Sequence, residues 1–329
     1  MKSDLRFLLR SILVSAKTPR RGGEVVVNPL NESEARLVTP RELVAHLDDP
    51  RWIVVDTRFR LTDRTWGRRA YVEGHIPGAF YADLEEQLSG PASAQGGRHP
   101  LPDPASFARF LAACGLTPEH TLVAYDEASL PGAFRLWWLA LWIGVRDVCV
   151  LDGGLRAWRA AELPLVATPP ERPTSPRAEL VPVLRPGLLV ETVEVARAAD
   201  GDPDACLVLD ARERRRYLGL EEPIDRIAGH IPRARNLPYL ATLAADGRLR
   251  PPAELRSLLA RVWGAEPPVR VAHACGSGVT ACQTLFAMTR AGFPGGLLYP
   301  GSYSAWVGDP ERPVCTGAED GLGEDAFLI

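Results

Sequence analysis

The chain has no apolar run near the roughly 20 residues needed to cross a bilayer, so no membrane-spanning helix is expected. It also lacks a strong charge of either sign. A formal net charge of −3 over 329 residues gives no electrostatic case for nucleic acid or a membrane surface as a partner. Cysteine is scarce, with six residues, no CxxC pair and no Cys/His set at zinc-finger spacing. No metal-ligand cluster or nucleotide loop stands out, so no cofactor is expected. The N-terminal stretch MKSDLRFLLRSILVSAKTPRRGG has a short apolar segment broken by Arg10. A secretory segment would be continuous and end at small residues. The stretch reads instead as an amphipathic helix, and the thiols as reduced groups of a cytoplasmic protein.

What is present is 46% hydrophobic and 24% charged, as in an ordinary soluble protein, and long enough for two domains. The chain also repeats itself. WIVVDTRF (52–59) resembles CLVLDARE (206–213), and GHIPGAFYADL (74–84) resembles GHIPRARNLPYL (229–240). TLVAYDEASLPG (121–132) resembles VRVAHACGSGVT (269–280), and GVRDVCVLDGGLRAW (144–158) resembles AGFPGGLLYPGSYSAW (291–306). The intervals agree: Asp56 to His75 is 19 residues and Asp210 to His230 is 20, while Asp126 to Trp158 is 32 and Cys275 to Trp306 is 31. Four blocks in one order indicate a duplicated domain, since the period is too long for a solenoid. The expected division is an N-terminal extension (1–36), a first domain (37–166), a Pro-rich linker (167–188), a second domain (189–317) and an acidic tail (318–329).

Short β-branched runs alternate with helical patterns in each copy. WIVVD, TLVAYD and VCVLD read as buried parallel strands of the first copy, and CLVLD, VRVAHA and GLLYPG as those of the second. PRELVAHLDD (40–49), PASFARFLAACG (104–115) and FRLWWLALWIG (134–144) read as helices. The fold class is α/β, with two tandem domains, each a mostly parallel sheet covered by helices on both faces. Ligands of such sheets sit beyond the carboxyl ends of the strands. Cys275 stands there, directly after VRVAHA.

The loop Cys275-Gly276-Ser277-Gly278-Val279-Thr280 joins that strand to a helix. Its glycines let backbone N–H groups turn inward, and the helix start adds its own unpaired donors. A thiol in that cradle should fall below its usual pKa of about 8.5 and react as thiolate. The competing reading is a buried structural cysteine at a glycine-rich turn. The duplication acts as a control: the first copy has Asp126 at this place, so the scaffold does not require cysteine, and the first copy is expected to be inactive. The same control favours structural roles for His75 and His230, and for Asp56 and Asp210, which occur in both copies. Arg212, Arg214, Arg215 and Arg216 are dense near a ligand edge and suit carboxylate binding, against the plainer reading of a solvated charge run. Trp137, Trp138 and Trp142 fall at helical spacing and read as core.

CGSGVTA (275–281) resembles the active-site loop of 3-mercaptopyruvate sulfurtransferases within the tandem rhodanese family. LDGGLRAW, FRLWW, both GHIP motifs and YPGSYSAW resemble the family at matching places, from about residue 37 to 317. The resemblance implies two rhodanese-like domains with the site in a cleft between them. It implies Cys275 as the nucleophile that takes sulfane sulfur as a persulfide, with Gly276, Ser277, Gly278, Val279 and Thr280 as its cradle. The acceptor would be a thiol or cyanide, with a thioredoxin-like reductant as a partner. Arg216 matches the arginine that holds the donor's anionic end, and Arg226 is the nearest match for a second. Ser277, His75 and Asp63 are the matches for a set that moves the donor's proton. Thiosulfate-preferring rhodaneses carry cations after the cysteine, where this chain has Gly276 and Ser277, so 3-mercaptopyruvate is the expected donor and thiosulfate the close second.

Three rivals remain. A Cys-based phosphatase needs arginine six residues after the cysteine, and Ala281 stands there. A redox pair of Cys275 and Cys282 would span two helical turns, roughly 10 Å, beyond the ~7 Å a disulfide permits. A persulfide carrier or partner-binding module that does not turn over is the non-catalytic alternative.

Overall fold

The computed structural model describes residues 30–127, 131–171, 179–264 and 267–318. The expected N-terminal helix, residues 172–178 of the linker, residues 128–130 of the first copy's loop and nearly all of the acidic tail lie outside them.

The first sheet has five parallel strands: β1 (Arg36–Val38), β2 (Trp52–Asp56), β3 (Phe80–Tyr81), β4 (Thr121–Tyr125) and β5 (Val148–Leu151), in the order β1-β5-β4-β2-β3. The second has four parallel strands: β6 (Leu207–Asp210), β7 (Arg235–Asn236), β8 (Val271–Ala274) and β9 (Gly296–Leu298), in the order β7-β6-β8-β9. Leu189 adds a single parallel bridge to Leu298, at the place β1 holds in the first sheet. The two topologies are therefore the same. The central strands are buried except at the first residues of β2 and β6, Trp52 and Leu207, as a sheet covered on both faces requires.

Helices α1 (Pro40–Val44), α2 (Trp66–Glu73), α3 (Pro104–Ala113), α4 (Gly132–Trp142) and α5 (Gly154–Ala160) belong to the first sheet. Helices α6 (Thr192–Ala199), α7 (Arg214–Tyr217), α8 (Pro252–Trp263), α9 (Ala281–Arg290) and α10 (Ser302–Trp306) belong to the second. Helix α1 is shorter than the pattern over 40–49 predicts and ends at Val44. The third strand of the second copy also ends early, because Tyr299–Gly301 turn into α10. Helix α3 ends as expected before Gly115, whose φ is +91°.

Helices α4 and α9 follow corresponding loops of the two copies and pack on each other. All eleven residues of α4 are buried, including Trp137, Trp138 and Trp142. Phe286 of α9 meets Phe134 and Trp137 edge-on, with centroids 5.0 and 4.8 Å apart. Arg290 of α9 donates to the carbonyl of Ala35 at 3.3 Å. One continuous apolar core runs through this contact, so the copies form a joint body.

Phe286→Ala is expected to lower unfolding stability by about 3–5 kcal/mol, because it empties both edge contacts at once. Urea unfolding checks this, and a loss under about 1 kcal/mol would show that the two copies are only loosely joined.

Candidate active site

Cys275 is the first residue beyond β8 and is 2% exposed. Its Sγ accepts from the Gly278 N–H at 3.1 Å. Its backbone N–H donates to Ser302 Oγ at 3.0 Å, and its carbonyl accepts from Tyr303 at 2.9 Å. Gly278 has φ +76°, and a Cβ there would lie 2.6 Å from the Pro300 carbonyl, so the curl that aims its N–H at sulfur needs glycine. Cys282 is the second residue of α9 and donates to the Gly278 carbonyl at 3.3 Å. Burial pushes its thiol up to about 12, which suits a core group and not a redox partner.

The first copy uses the same frame differently. The Asp126 carbonyl accepts from Leu155, as that of Cys275 does from Tyr303. The Asp126 carboxylate accepts from the Ala133 N–H at 3.0 Å, so an internal anion occupies the start of α4.

Behind the loop lies Arg135 of α4, fully buried. It donates to the carbonyls of Gly278 (3.0 Å), His99 (3.1 Å), Pro100 (3.1 Å) and Leu88 (3.3 Å). Burial lowers its pKa, although the nearby Cys282 and Cys275 act the other way. Its side chain fixes the active-site loop and the backbone of His99 to one group.

His99 is the imidazole that reaches the loop. Its Nδ1 lies 2.7 Å from Ser277 Oγ, and its Nε2 lies 3.2 Å from Glu85 Oε1. A carboxylate only accepts, so Nε2 carries the proton and Nδ1 accepts from the Ser277 hydroxyl. Burial pushes His99 down to about 4, with Glu85 opposing, so the ring is neutral near pH 7.

This corrects the expected set of Ser277, His75 and Asp63. His75 is buried beside α2, with Nδ1 on the Tyr71 carbonyl at 2.7 Å and its ring stacked on Tyr71. His230 repeats this with Tyr217. Both are turn-fixing residues that lie against their own tyrosines. Asp63 is ion-paired with Arg69 at 2.7 Å and half-exposed, and Arg69 holds its carboxyl down to about 2. Asp56 and Asp210 are likewise structural, each buried and paired with an arginine two residues on, Arg58 and Arg212, at 2.7 Å.

The arginine cluster divides. Arg214 is buried and faces Asn236 at 3.4 Å, and Arg215 is exposed and paired with Glu221. Arg212 is buried over the ring of Tyr303 and also reaches Glu222 at 3.3 Å. Arg216 lines a cleft between the copies of about 480 Å³, with Tyr239 and Thr280 on its own side and Phe59, Leu61, Trp66 and Pro131 opposite. Its guanidinium is bonded to Glu222 at 2.7 Å and Asp225 at 3.1 Å. Arg226, the expected second match, is exposed, unlike Arg216. The loop carries no cation of its own, but Arg98 of the first copy stands beside Gly276 and pairs with Asp225 at 2.8 Å.

A family model described as Rhodanese-like domain matches residues 39–161 and 192–309. The chain is 46% identical over 298 residues to a Pseudomonas aeruginosa protein named "Probable 3-mercaptopyruvate sulfurtransferase", with 87% of this chain and 99% of that protein covered. It is 31% identical over 277 residues to the thiosulfate sulfurtransferase of Bos taurus, covering 78% of this chain and 89% of the relative. The crystal structure of SseA from Escherichia coli, a 3-mercaptopyruvate sulfotransferase of the rhodanese fold, is similar with a TM-score of 0.69 and 31% identity, over 82% of this chain and 98% of that one.

The buried neutral imidazoles set an acid limit on stability. His99 and His273, the latter pushed down to about 3 by burial, refuse a proton that the unfolded chain accepts from about pH 6.5 downward. Their stabilisation is complete above that pH and is lost as pH falls toward 4, by up to about 1.4 kcal/mol per pH unit for each residue. Urea unfolding from pH 7 to 4.5 checks this, and a flat profile would show that His99 is not neutral in the fold.

Proposed function

The chain belongs to the rhodanese family and is a sulfurtransferase, and on that premise we propose that it moves sulfur from 3-mercaptopyruvate to a thiol or cyanide through a persulfide on Cys275. The observation that carries this reading is the loop itself: a near-buried thiol with an N–H on its sulfur, next to a hydroxyl that feeds a neutral imidazole and a carboxylate.

The first half-reaction breaks the donor's C–S bond and forms an S–S bond. The Cys275 thiolate attacks the donor sulfur, and the bond's electron pair leaves on C3 as the enolate of pyruvate. C3 takes up a proton, so one thiol and one mercaptopyruvate give one persulfide and one pyruvate. In the second half the acceptor attacks the outer sulfur and frees the thiolate. The kinetics are therefore ping-pong. Ser277, His99 and Glu85 are the chain that takes the donor's thiol proton and returns one to C3. The Gly278 N–H and the start of α9 stabilise the anionic sulfur before and after transfer. Gly276, Val279 and Thr280 complete the cradle.

The donor preference rests on two features. A proton relay serves a donor with a thiol proton, which thiosulfate lacks. Arg98, Arg212 and Arg216 face Asp210, Glu222 and Asp225, so three positive charges meet three negative ones, and a monoanion enters such a site at less cost than a dianion. We also propose the divisions 37–166 and 189–317 as the domain bounds, with 167–188 as linker, and the first domain as inactive, because its own Asp126 occupies the anion place. No helix among the described residues is long and apolar enough to cross a membrane. A cytoplasmic setting and a thioredoxin-like acceptor complete the reading.

The test is steady-state transfer to cyanide from 3-mercaptopyruvate and from thiosulfate. Wild type should turn over with the higher kcat/KM for 3-mercaptopyruvate, and Cys275→Ser should be inactive with both. Absence of turnover with either donor would favour the persulfide carrier. Separately, His99→Gln and Ser277→Ala should lower kcat with 3-mercaptopyruvate by about 10²–10⁴-fold and change thiosulfate turnover by less than tenfold. Equal losses with both donors would show that the trio only holds the loop in place.

A further inference from the structure

Building on the sulfurtransferase reading, we infer that Arg98, supplied by the first copy, is the residue that binds the donor's carboxylate. Its backbone is held where the copies cross. The Arg98 N–H donates to Ser304 Oγ at 3.0 Å, and the Ser304 N–H donates to the carbonyl of Gly276 at 2.9 Å. The preceding Gly97 has φ +80°, and a Cβ there would sit 2.6 Å from the Gly301 carbonyl and from Ser304 Oγ. Only glycine permits that approach.

The guanidinium then lies over the loop. Its Nη2 is 3.0 Å from the point where a Cβ on residue 276 would stand, next to the nucleophile. Its Nη1 serves Asp225. Its Nε is buried and has no hydrogen-bond partner. The Nε–Nη2 edge is the fork that takes a planar carboxylate by two parallel bonds. A buried N–H without an acceptor is costly, and an incoming carboxylate removes that cost.

Arg216 is placed less well for the task. Its Nε and Nη2 both bond Glu222, at 3.2 and 2.7 Å, and its Nη2 also bonds Asp225. Its fork is already on a carboxylate of the chain. Glu222 and Asp225 thus turn Arg216 into a positioning residue for the wall, and leave Arg98 to the ligand. A 2-oxo acid held on Arg98 brings its C3 sulfur to the loop beside Gly276.

The deciding experiment titrates 3-mercaptopyruvate and pyruvate into Cys275→Ser protein, as the parent and with Arg98→Leu, Arg98→Lys or Arg216→Leu added. Arg98→Leu should raise Kd for both ligands about 10–100-fold. Arg98→Lys, which keeps charge and loses the fork, should fall between. In Cys275 enzyme the Arg98→Leu change should raise KM for 3-mercaptopyruvate and leave kcat within about threefold. Unchanged Kd in Arg98→Leu with a loss in Arg216→Leu would overturn the inference and place the carboxylate on Arg216. A fall in kcat with KM unchanged would overturn it in favour of a role in holding the loop. Lack of turnover by wild type would sink the sulfurtransferase reading, while the titration would still decide Arg98.

Discussion

Much of this site depends on the buried guanidinium of Arg135. Its hydrogen bonds go to backbone carbonyls from three stretches of chain: Leu88, His99 with Pro100, and Gly278. A charge with no water around it needs such partners, and four backbone carbonyls supply them. The bonds therefore hold mutually. They set the distance between the Cys275 loop and the segment that carries Glu85, His99 and Arg98. They also bring a positive charge near Cys275 without offering a group that competes for substrate.

Around that anchor the two copies have diverged in chemistry and not in frame. The strand order is shared, and so are the Asp–Arg pairs after β2 and β6 and the stacked tyrosine and histidine of each GHIP turn. What differs is the group at the strand's end. In the first copy a carboxylate closes the helix start from within. In the second that place is taken by the sulfur of Cys275, which accepts from the Gly278 N–H.

The fold was legible in the sequence because buried parallel strands are short β-branched runs and because the repeat displays them twice. The shortest pairings, β3 and β7, have two residues each and leave no pattern to read. Cys275 stands out in the sequence by contrast with Asp126, which holds its place in the first copy. The same contrast points away from His75, which has a counterpart in His230, and toward His99, which has none in the second copy, although the HIP motif is the more prominent pattern. Glu85 and Arg98 carry no local signature. Their partners are 14 residues away for Glu85 and 127 for Arg98, so only the folded chain brings them to the site. Arg226 stands just before GHIP, where the stretch is short and its side chain is exposed.

The contact of α4 with α9 has the form of an isologous interface, in which the same element of two subunits meets itself about a two-fold axis. The tandem chain is in that sense a dimer with its subunits fused. A free dimer with a shared site loses activity on dilution, and its subunits must stay identical. Fusion removes both conditions: the local concentration of each half about the other no longer depends on how much protein is present. On the proposed reading, one half gives up the nucleophile and supplies only histidine and arginine to its neighbour.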